Sequence, residues 1–426
     1  MHRPFLERLY HAAVAAAHPS HCLPQHLPAP PASGRIIVLA AGKAAGSMAE
    51  VAERNYVDDC KLPPSRIIGV AVTRHGYARP ARIIRVAEAG HPVPDATGLA
   101  ATLETLALAD TAGPDDLVLA LISGGASANW IAPTADLSLS EKQALTKSLL
   151  ACGASITEIN TVRKHLSRIK GGRLAARAQP GRLTTIAISD VPGDDPAVIG
   201  SGPTVPDPST LADARAILAR YRLRVPGAVT TALADPSNES PKPDNPLFAN
   251  TAFVLAARPA DVFNSVDAVV RSAGYDCVVL GTALEGEART VAAEHARIAL
   301  DLKAQGRRAV ILSGGELTVT VCGKGRGGPN QEYALALALA LDGKAGIAGL
   351  AGDTDGTDGG VGSPDDPAGA YVDNTTLQRA RALGLDPATY LSDNNSTEFF
   401  ASLDNLLKPG PTHTNVNDFR AILVDS

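Results

Sequence analysis

The sequence predicts an α/β protein built from two α/β domains with mostly parallel sheets. Its 426 residues are more than one hydrophobic core usually supports. Short apolar runs alternate with amphipathic segments of helical length, which is the pattern of strands covered by helices. Several of the apolar runs end in glycine-rich loops, as expected where strands reach the ligand-binding edge of an open sheet.

Strands are expected where apolar residues are nearly continuous, because such strands are covered on both faces. They are predicted at 35–40, 66–72, 117–123, 183–189, 251–257, 275–280, 309–313 and 346–351. Helices are predicted at 43–59, 97–110, 140–152, 156–170, 259–273, 287–305 and 331–341. The polar, proline-rich segment 235–246 is interpreted as a linker or surface loop. It separates a Rossmann-like N-terminal domain, 1–240, from a C-terminal domain, 247–426.

Composition excludes several classes of partner. The net charge is −5 without a block of like charge, which argues against nucleic acid and anionic membranes. No run of eighteen apolar residues occurs, so no membrane span is predicted. The five cysteines are scattered and lack C-x-x-C spacing, which indicates free thiols in a reducing compartment. We therefore expect a cytoplasmic protein that acts on small molecules, and the sequence permits a homodimer.

The densest chemical signal is the loop Gly-Asp-Thr-Asp-Gly-Thr-Asp-Gly-Gly at 352–360, which follows a predicted strand. Asp353, Asp355 and Asp358 are hard oxygen ligands of the kind that Mg²⁺ prefers. The alternatives are a solvated acidic loop or a run of Asx turns with glycines at positive φ. A second carboxylate cluster, including Asp190, follows the predicted strand 183–189.

Two predicted strands end in the same Ser-Gly-Gly turn, one in each domain. The first turn begins at Ser123, and the second begins at Ser313 and runs into Glu316. Backbone N–H groups in such turns can bind anions. Lys43 also follows a strand, at a helix start where a cation opposes the helix dipole unless an anion is near.

A basic segment follows the first Ser-Gly-Gly turn. By helical spacing Asn160, Lys164 and Ser167 share one face, with Arg163 and Lys170 beside it. These residues suit a carboxylate or phosphate, or else form a solvated basic face. Farther on, 323–328 matches the dinucleotide fingerprint G-x-G-x-x-G. The segment before it alternates polar and apolar residues, unlike the buried first strand of that fold.

The ordered set of motifs resembles the glycerate 2-kinase family, or class II glycerate kinases, whose C-terminal part is the MOFRL domain. The matching stretches are AGKAAGSMAE, AGHPVPDATG, LISGGASA, INTVRKHLSRIKGGRLA, ISDVPGDDPAVIGSGPTVPD, LSGGE, GKGRGGPNQE, DGTDG, DPAGAYVD and THTNVNDF. The resemblance implies phosphorylation of D-glycerate at the 2-hydroxyl with ATP and Mg²⁺, in an active site in the interdomain cleft.

The resemblance also implies roles for individual residues. Those for catalysis are Lys43, Asp190 and Asp353. Those for substrate binding are Ser123, Gly124, Gly125, Ser127, Asn160, Arg163 and Lys164. Those for nucleotide binding are Ser313, Gly314, Gly315, Glu316, Arg326, Gly327, Gly328 and Asn330. Those for metal binding are Asp190, Asp353, Asp355 and Asp358.

The sequence departs from the family pattern at three positions. Ala126 replaces a common glycine, and Pro329 stands where many relatives have a catalytic arginine, for which Arg326 is a candidate substitute. His413 also replaces a common glycine. Two other functions stay open: an NAD(P)H-dependent hydroxypyruvate reductase, and a non-catalytic sensor of nucleotides or sugar phosphates.

Overall fold

The computed structural model describes residues 2–134, 136–360 and 362–425, which form two compact units. The first unit is Cys22–Ala256, and the second unit combines Met1–His21 with Ala257–Ser426. The chain starts with helices α1, His2–Ala17, and α2, Pro19–Cys22. Helix α1 therefore belongs with the C-terminal part of the chain and not with the domain 1–240 to which the sequence assigned it.

The first unit contains a six-stranded sheet and eight helices. Its strands are β1 Ile36–Ala41, β2 Ile67–Arg74, β3 Arg85–Ala89, β4 Leu117–Ile122, β5 Arg182–Ile188 and β6 Thr251–Ala257. Its helices are α3 Ala45–Arg54, α4 Ala96–Ala109, α5 Ala126–Asn129, α6 Leu139–Ala151, α7 Ile156–His165, α8 Arg173–Arg177, α9 Leu211–Arg220 and α10 Gly227–Ala234. A π-helical turn, Asn55–Asp59, continues α3.

The strand order of this sheet is β3-β2-β1-β4-β5-β6, the order of a Rossmann-like fold. Strand β1 pairs in parallel with both β2 and β4, and β4 pairs in parallel with β5. Both β1 and β4 are buried along their whole length, which explains their continuous apolar sequences. The parallel Rossmann-like prediction is confirmed for this unit.

The predicted domain boundary is displaced. Strand β6 lies next to β5 in the first sheet, although the sequence assigned it to the domain 247–426. The segment interpreted as a linker also belongs to the first unit, where Glu239 contacts the buried ring of His165 with 3.0 Å between Oε1 and Nε2. Polar side-chain contacts, and not an apolar core, hold this proline-rich segment in place.

The second unit contains the remaining strands and helices. Its strands are β7 Asp276–Gly281, β8 Gly286–Glu287, β9 Ala309–Gly315, β10 Leu317–Thr318, β11 Ile347–Asp353, β12 Gly369–Asp373, β13 Leu406–Leu407 and β14 Asp418–Val424. Its helices are α11 Pro259–Ser272, α12 Ala288–Ala304, α13 Pro329–Leu341, α14 Thr376–Ala382, α15 Pro387–Ser392 and α16 Ser396–Ser402. The short strands β8 and β10 form a separate ribbon.

The main sheet of the second unit has the order β13-β12-β11-β14-β9-β7. Only the pair β7 and β9 is parallel among the pairings described, and the pairs around β11 and β14 are antiparallel. The prediction of a mostly parallel sheet is therefore wrong for this unit. Helices cover both faces of the sheet, so its central antiparallel strands have the continuous apolar sequences that were interpreted as parallel.

Helix α1 covers part of this sheet. Its buried face carries Leu6, Leu9 and Tyr10, and the Tyr10 ring contacts Phe419 of β14. The Tyr10 hydroxyl donates to the carbonyl of Asp353 at 2.8 Å. These contacts explain why α1 belongs to the second unit. Among the described residues, every helix is too short or too polar to cross a membrane.

Candidate functional site

In the first unit, the candidate residues begin where the strand order of the sheet reverses. Strands β1 and β4 are neighbours from which the chain continues toward opposite edges of the sheet, and such a switch point is where ligands bind in α/β proteins. Lys43 follows β1, and the turn at Ser123 follows β4. The topology thus places two sequence-predicted loops at one recognised binding position.

These two loops are tied together by backbone contacts. The Lys43 amide donates to the Gly124 carbonyl at 2.8 Å, and the Ala44 amide donates to Ser123 Oγ at 3.0 Å. Gly42 has φ +118°, and a Cβ there would lie 2.3 Å from Ser123 Oγ. The buried Ser123 hydroxyl therefore fixes the loop before α3, and it is a positioning group for Lys43.

His91 is a residue that sequence reasoning missed. A Cβ on Gly125 would lie 3.0 Å from Cδ2 of His91 and 3.3 Å from Cγ of Lys43. Gly125, at φ +85°, therefore leaves room for an imidazole and a lysine stem on the same turn. The motif AGHPVPDATG contained the signal, because it holds a histidine within a family-like loop.

Ser127 begins a short polar chain. Its Oγ lies 2.6 Å from Ser201 Oγ, and Ser201 Oγ donates to Asn160 Oδ1 at 3.4 Å. The structure thus brings Ser127 and Asn160 together, as predicted, and adds Ser201 between them. Asp190 follows β5 and is partly exposed, at the same carboxyl-terminal edge of the sheet.

Two cations, the partly exposed Arg163 and the buried Lys170, meet at the Ser127 carbonyl. Arg163 Nη2 donates to this oxygen at 3.2 Å, and Lys170 Nζ donates to it at 2.8 Å. Lys170 is 0% exposed. Burial, with the nearby charges of Arg163 and Lys142, lowers the pKa of Lys170 well below 10.5. Burial also lowers the pKa of Arg163.

Lys164, which the sequence assigned to substrate binding, lies in a buried ion pair. Lys164 Nζ lies 3.3 Å from Asp207 Oδ1, and both side chains are buried. This ion pair commits Lys164 to the core. Helix α7 ends at His165, five residues before the predicted end, so Ser167 and Lys170 lie in the following loop and not on the helix.

In the second unit, the acidic loop follows β11 and folds as consecutive Asx turns. Asp353 Oδ1 accepts from the Asp355 amide at 2.9 Å, and Asp355 Oδ1 accepts from the Thr357 amide at 2.8 Å. Asp355 is buried, whereas Asp353 is partly exposed. The alternative interpretation of the loop, as Asx turns, is therefore the one that describes its geometry, and Asp353 is its accessible carboxylate.

Asp358 caps helix α13. Its Oδ1 accepts from the Asn330 amide at 3.0 Å, and its Oδ2 accepts from the Gln331 amide at 2.9 Å. Burial raises the pKa of Asp358 to about 7, and the charge of Asp418 acts in the same direction against these amide donors. Because both oxygens accept amides at the start of α13, Asp358 acts here as a helix cap, and its metal assignment stays a prediction.

Asp418 connects the cap to the sheet and was not selected from the sequence. It pairs across the sheet with Asp353, and its Oδ1 accepts from Asn330 Nδ2 at 2.6 Å. Its Oδ2 accepts from Arg420 at 2.9 Å. Within the part of the chain that is described, Asn330 Oδ1 is a buried acceptor without a hydrogen-bond partner. The network therefore presents an amide oxygen beside Asp418, which is itself paired with Asp353.

The second Ser-Gly-Gly turn is not an open anion nest. Ser313, Gly314 and Gly315 are the buried last residues of β9. A Cβ on Gly315, at φ +104°, would lie 2.1 Å from the Leu284 amide nitrogen, so packing requires the glycine. Glu316, the next residue, is exposed.

The glycines of 323–328 also serve packing. A Cβ on Gly327 would lie 2.3 Å from Ser396 Oγ, and one on Gly328 would lie 2.5 Å from Cγ of Asp358. The preceding strand, β10, has two residues and lies outside the main sheet. This is not the strand–turn–helix geometry of a dinucleotide fingerprint. Arg326 remains an exposed cation, 3.8 Å from Asp366 Oδ1.

A metal would need the substrate to complete its site. Among the described residues, no group of three or more His, Cys, Asp or Glu side chains could hold a metal ion. Mg²⁺ usually takes one or two carboxylates together with waters and substrate phosphates. The partly exposed Asp353 and the unpartnered Asn330 oxygen are hard donors that fit such a site.

Comparison with known proteins places this architecture in a family. Residues 5–234 match the family described as a domain of unknown function (DUF4147), and residues 309–418 match the MOFRL family. The D-glycerate 2-kinase of Thermotoga maritima is 38% identical over 389 residues, which are 90% of this chain and 89% of that protein. The chain belongs to the glycerate 2-kinase family. The family resemblance and the two-domain α/β fold predicted from the sequence are confirmed.

Two further comparisons bear on the reaction that this member of the glycerate 2-kinase family catalyses. A crystal structure of glycerate kinase from Thermotoga maritima matches with a TM-score of 0.86 at 37% identity, covering 99% of both chains. A protein of Agrobacterium vitis is 46% identical over 428 residues, covering 99% of this chain and 94% of that protein. It carries the provisional name hydroxypyruvate reductase. The structural match is therefore to a kinase.

Proposed function

We propose that this protein phosphorylates D-glycerate at the 2-hydroxyl, using ATP and Mg²⁺ and releasing 2-phospho-D-glycerate and ADP. The observation that carries the proposal is the group of cations at the switch point of the first sheet. Lys43 follows β1 there, and Arg163 and Lys170 share the Ser127 carbonyl beyond β4. Anionic substrates suit this group, and phosphoryl transfer is mostly positioning and charge stabilisation.

In the first unit, we assign the glycerate carboxylate to Arg163, with Asn160 and Ser127 as hydrogen-bonding partners. Lys170, which is 0% exposed, positions this group by donating to the Ser127 carbonyl. Guanidinium–carboxylate bonds fix orientation as well as charge. Lys43 stabilises the charge that develops on the transferring phosphoryl group. Asp190, at the end of β5, accepts the proton of the attacking hydroxyl or orients it.

In the second unit, we assign the nucleotide phosphates to Arg326 and the loop 326–330. Arg326 supplies the exposed cation in place of the arginine that relatives have where this chain has Pro329. Asp353 and Asn330 Oδ1 would hold Mg²⁺, which neutralises charge on the β- and γ-phosphates when bound. Asp355 stabilises the acidic loop 352–360 through its Asx turn, and Asp358 connects that loop to the start of α13 as a helix cap.

The reductase alternative is disfavoured by a specific observation. The glycines that resemble a dinucleotide fingerprint pack against Ser396 and Asp358, and the strand before them is outside the main sheet. A reductase would oxidise NADH or NADPH with hydroxypyruvate, whereas a kinase would release ADP with D-glycerate. Running both assays on one preparation separates the two functions, and steady NADH oxidation without ADP release would refute the kinase proposal.

The position of the new phosphate gives the second test. Phosphorus NMR of the product distinguishes 2-phosphoglycerate from 3-phosphoglycerate, and the 3-isomer would refute the proposed regiochemistry.

We also place the enzyme in the cytoplasm. The support is that its five cysteines are all free thiols, which suits a reducing compartment.

A further inference from the structure

A cavity of about 600 Å³ opens in the first unit beside helix α6. Its apolar wall includes Val93, Ile131 and Leu150, and its polar wall includes Lys142, Lys147 and Arg163. Cavities of roughly 300–1,000 Å³ with apolar walls and a few placed polar groups are typical of small-molecule sites. None of the described residues that line this cavity is acidic, so the cavity has a positive character.

The rim of the cavity exposes apolar surface to solvent. Val93 is 65% exposed and Leu150 is 62% exposed, whereas Ile131 is buried at the wall. Large exposed aliphatic side chains that line a concave site leave apolar area that a bound molecule would cover. A ligand with a hydrocarbon body would therefore gain free energy at this position.

The cations at the wall have no anionic partner within the described ranges. Arg163 donates to the Ser127 carbonyl, and Lys142 Nζ donates to the Leu166 carbonyl at 2.5 Å. Neither side chain has a carboxylate within ion-pair distance in the described chain. Burying a charge without a counter-charge is costly, and a bound anion would offset that cost.

We propose that this cavity binds a small organic carboxylate with an apolar hydrocarbon body. The carboxylate would meet the Arg163 guanidinium, Lys147 would attract it from the exposed rim, and the hydrocarbon body would cover Val93 and Leu150. Glycerate carries a hydroxyl on each of its two other carbons and has no hydrocarbon body to cover these side chains. The ligand is therefore a molecule other than the proposed substrate, and its binding can be measured without turnover.

The first experiment titrates the full-length protein with hexanoate, acetate and 1-hexanol by ligand-observed NMR. Hexanoate should bind saturably and at least about tenfold more tightly than acetate, because each buried methylene contributes up to about fourfold. It should also bind at least about fivefold more tightly than 1-hexanol, which lacks the charge. Failure of hexanoate to saturate by 20 mM, or equal binding of 1-hexanol, would overturn the proposal.

Matched variants on α6 locate the site. Ala144 lines the cavity and is exposed, whereas Ser148, one turn along the same helix and equally exposed, does not line it. Ala144→Trp should lower hexanoate affinity about tenfold or more, while Ser148→Trp should leave it unchanged. Should Ala144→Trp not fold, Lys147→Glu should weaken hexanoate several-fold through the rim charge.

Competition tests the anchor on Arg163, and this test rests on the proposed function. Because Arg163 would hold both carboxylates, saturating D-glycerate should weaken hexanoate binding about tenfold or more, whereas Ala144→Trp should leave KM for D-glycerate unchanged. Unchanged hexanoate affinity at saturating D-glycerate in an active enzyme, or a KM for D-glycerate that rises with the loss of hexanoate binding in Ala144→Trp, would overturn the inference. Unchanged hexanoate affinity in both Ala144→Trp and Lys147→Glu would overturn it as well.

Discussion

Replacing Lys170 by Met separates the functional role of a buried cation from its structural role. Met has similar length and no charge, so the side chain still fills its space while the bond to the Ser127 carbonyl is lost. Arg163 continues to donate to that carbonyl at 3.2 Å, so the oxygen keeps a partner. A hydrogen bond from a charged donor contributes about 1.5–3 kcal/mol, but removing an unpaired buried charge offsets part of this loss. We expect the free energy of unfolding at pH 7 to change by less than about 2 kcal/mol.

The pH dependence of stability distinguishes the Lys170→Met variant from the wild-type protein. Burial lowers the pKa of Lys170 and of Lys142 below their ordinary value of 10.5. Between the folded and unfolded pKa values the unfolded chain binds more protons, so wild-type stability rises with pH. Each such lysine contributes about 1.4 kcal/mol per pH unit in that window. Urea unfolding at several alkaline pH values should show a smaller rise of the unfolding free energy per pH unit in Lys170→Met, because one titrating lysine is missing.

The catalytic consequence is loss of binding for an anionic substrate. Removing the charge and the hydrogen bond that hold the Ser127 carbonyl beside Arg163 should raise KM for D-glycerate about tenfold, with a smaller change in kcat. Lys303→Met is the matched control, because Lys303 Nζ donates to the Asp425 carbonyl at 2.6 Å in the second unit. Unchanged KM in a folded Lys170→Met protein would refute the positioning role of Lys170.

Four further predictions concern other residues. Lys43→Ala should lower kcat about 10²-fold or more with little change in unfolding free energy, and near-normal turnover would remove it from the mechanism. Activity should vanish with excess EDTA and return with Mg²⁺, and Asp353→Asn should raise the Mg²⁺ concentration needed for half activity. Burial raises the pKa of Glu239, but hydrogen bonds from Lys242 and others outweigh it and bring the value to about 2. Its stabilising effect, about 1 kcal/mol after solvent screening, should therefore be lost as pH falls from 4.5 toward 2, and Glu239→Gln should abolish that acid-dependent part. NADH titrated by fluorescence should show no micromolar affinity, and such affinity would revive the reductase.

The strands of the first sheet were predicted well because the signals that mark each strand lie next to one another in the sequence. Each of β1, β4 and β5 is an apolar run followed by a small-residue loop, and parallel strands place such loops at one edge. In the second unit the same local signal led to a wrong prediction of strand direction, because β11 and β14 are buried on both faces and yet are antiparallel. Pairing direction depends on connections between distant segments, which hydrophobicity does not encode.

The candidate site was predicted only to the extent that local spacing determines it. Lys43, Ser127, Asn160 and Arg163 lie in the loops and helix where spacing placed them. The role of Lys164 was missed because its partner, Asp207, is 43 residues away in sequence. The sequence placed Lys170 on the helix, but α7 ends at His165, so Lys170 lies in the loop that follows. The capping role of Asp358 was missed because the sequence does not show that Asn330 and Gln331 direct their amides at it.

The substitution at His413 has a conformational explanation. His413 has φ +57°, in the left-handed region that glycine enters without strain. Glycine is therefore the residue expected at this turn on backbone grounds, and histidine adopts it at a modest cost.

The packing of α1 on the second unit has a consequence for synthesis of the protein. Helix α1 leaves the ribosome before the strands β11 and β14 that it covers, which lie far along the chain. At ~5–20 residues per second, on the order of tens of seconds separate these events. During that interval the face formed by Leu6, Leu9 and Tyr10 has no sheet to cover, while Cys22–Ala256 can already fold. Nascent chains stalled near residue 300, with β6 clear of the ribosome exit tunnel, should therefore show a protease-sensitive α1 ahead of a protected first unit.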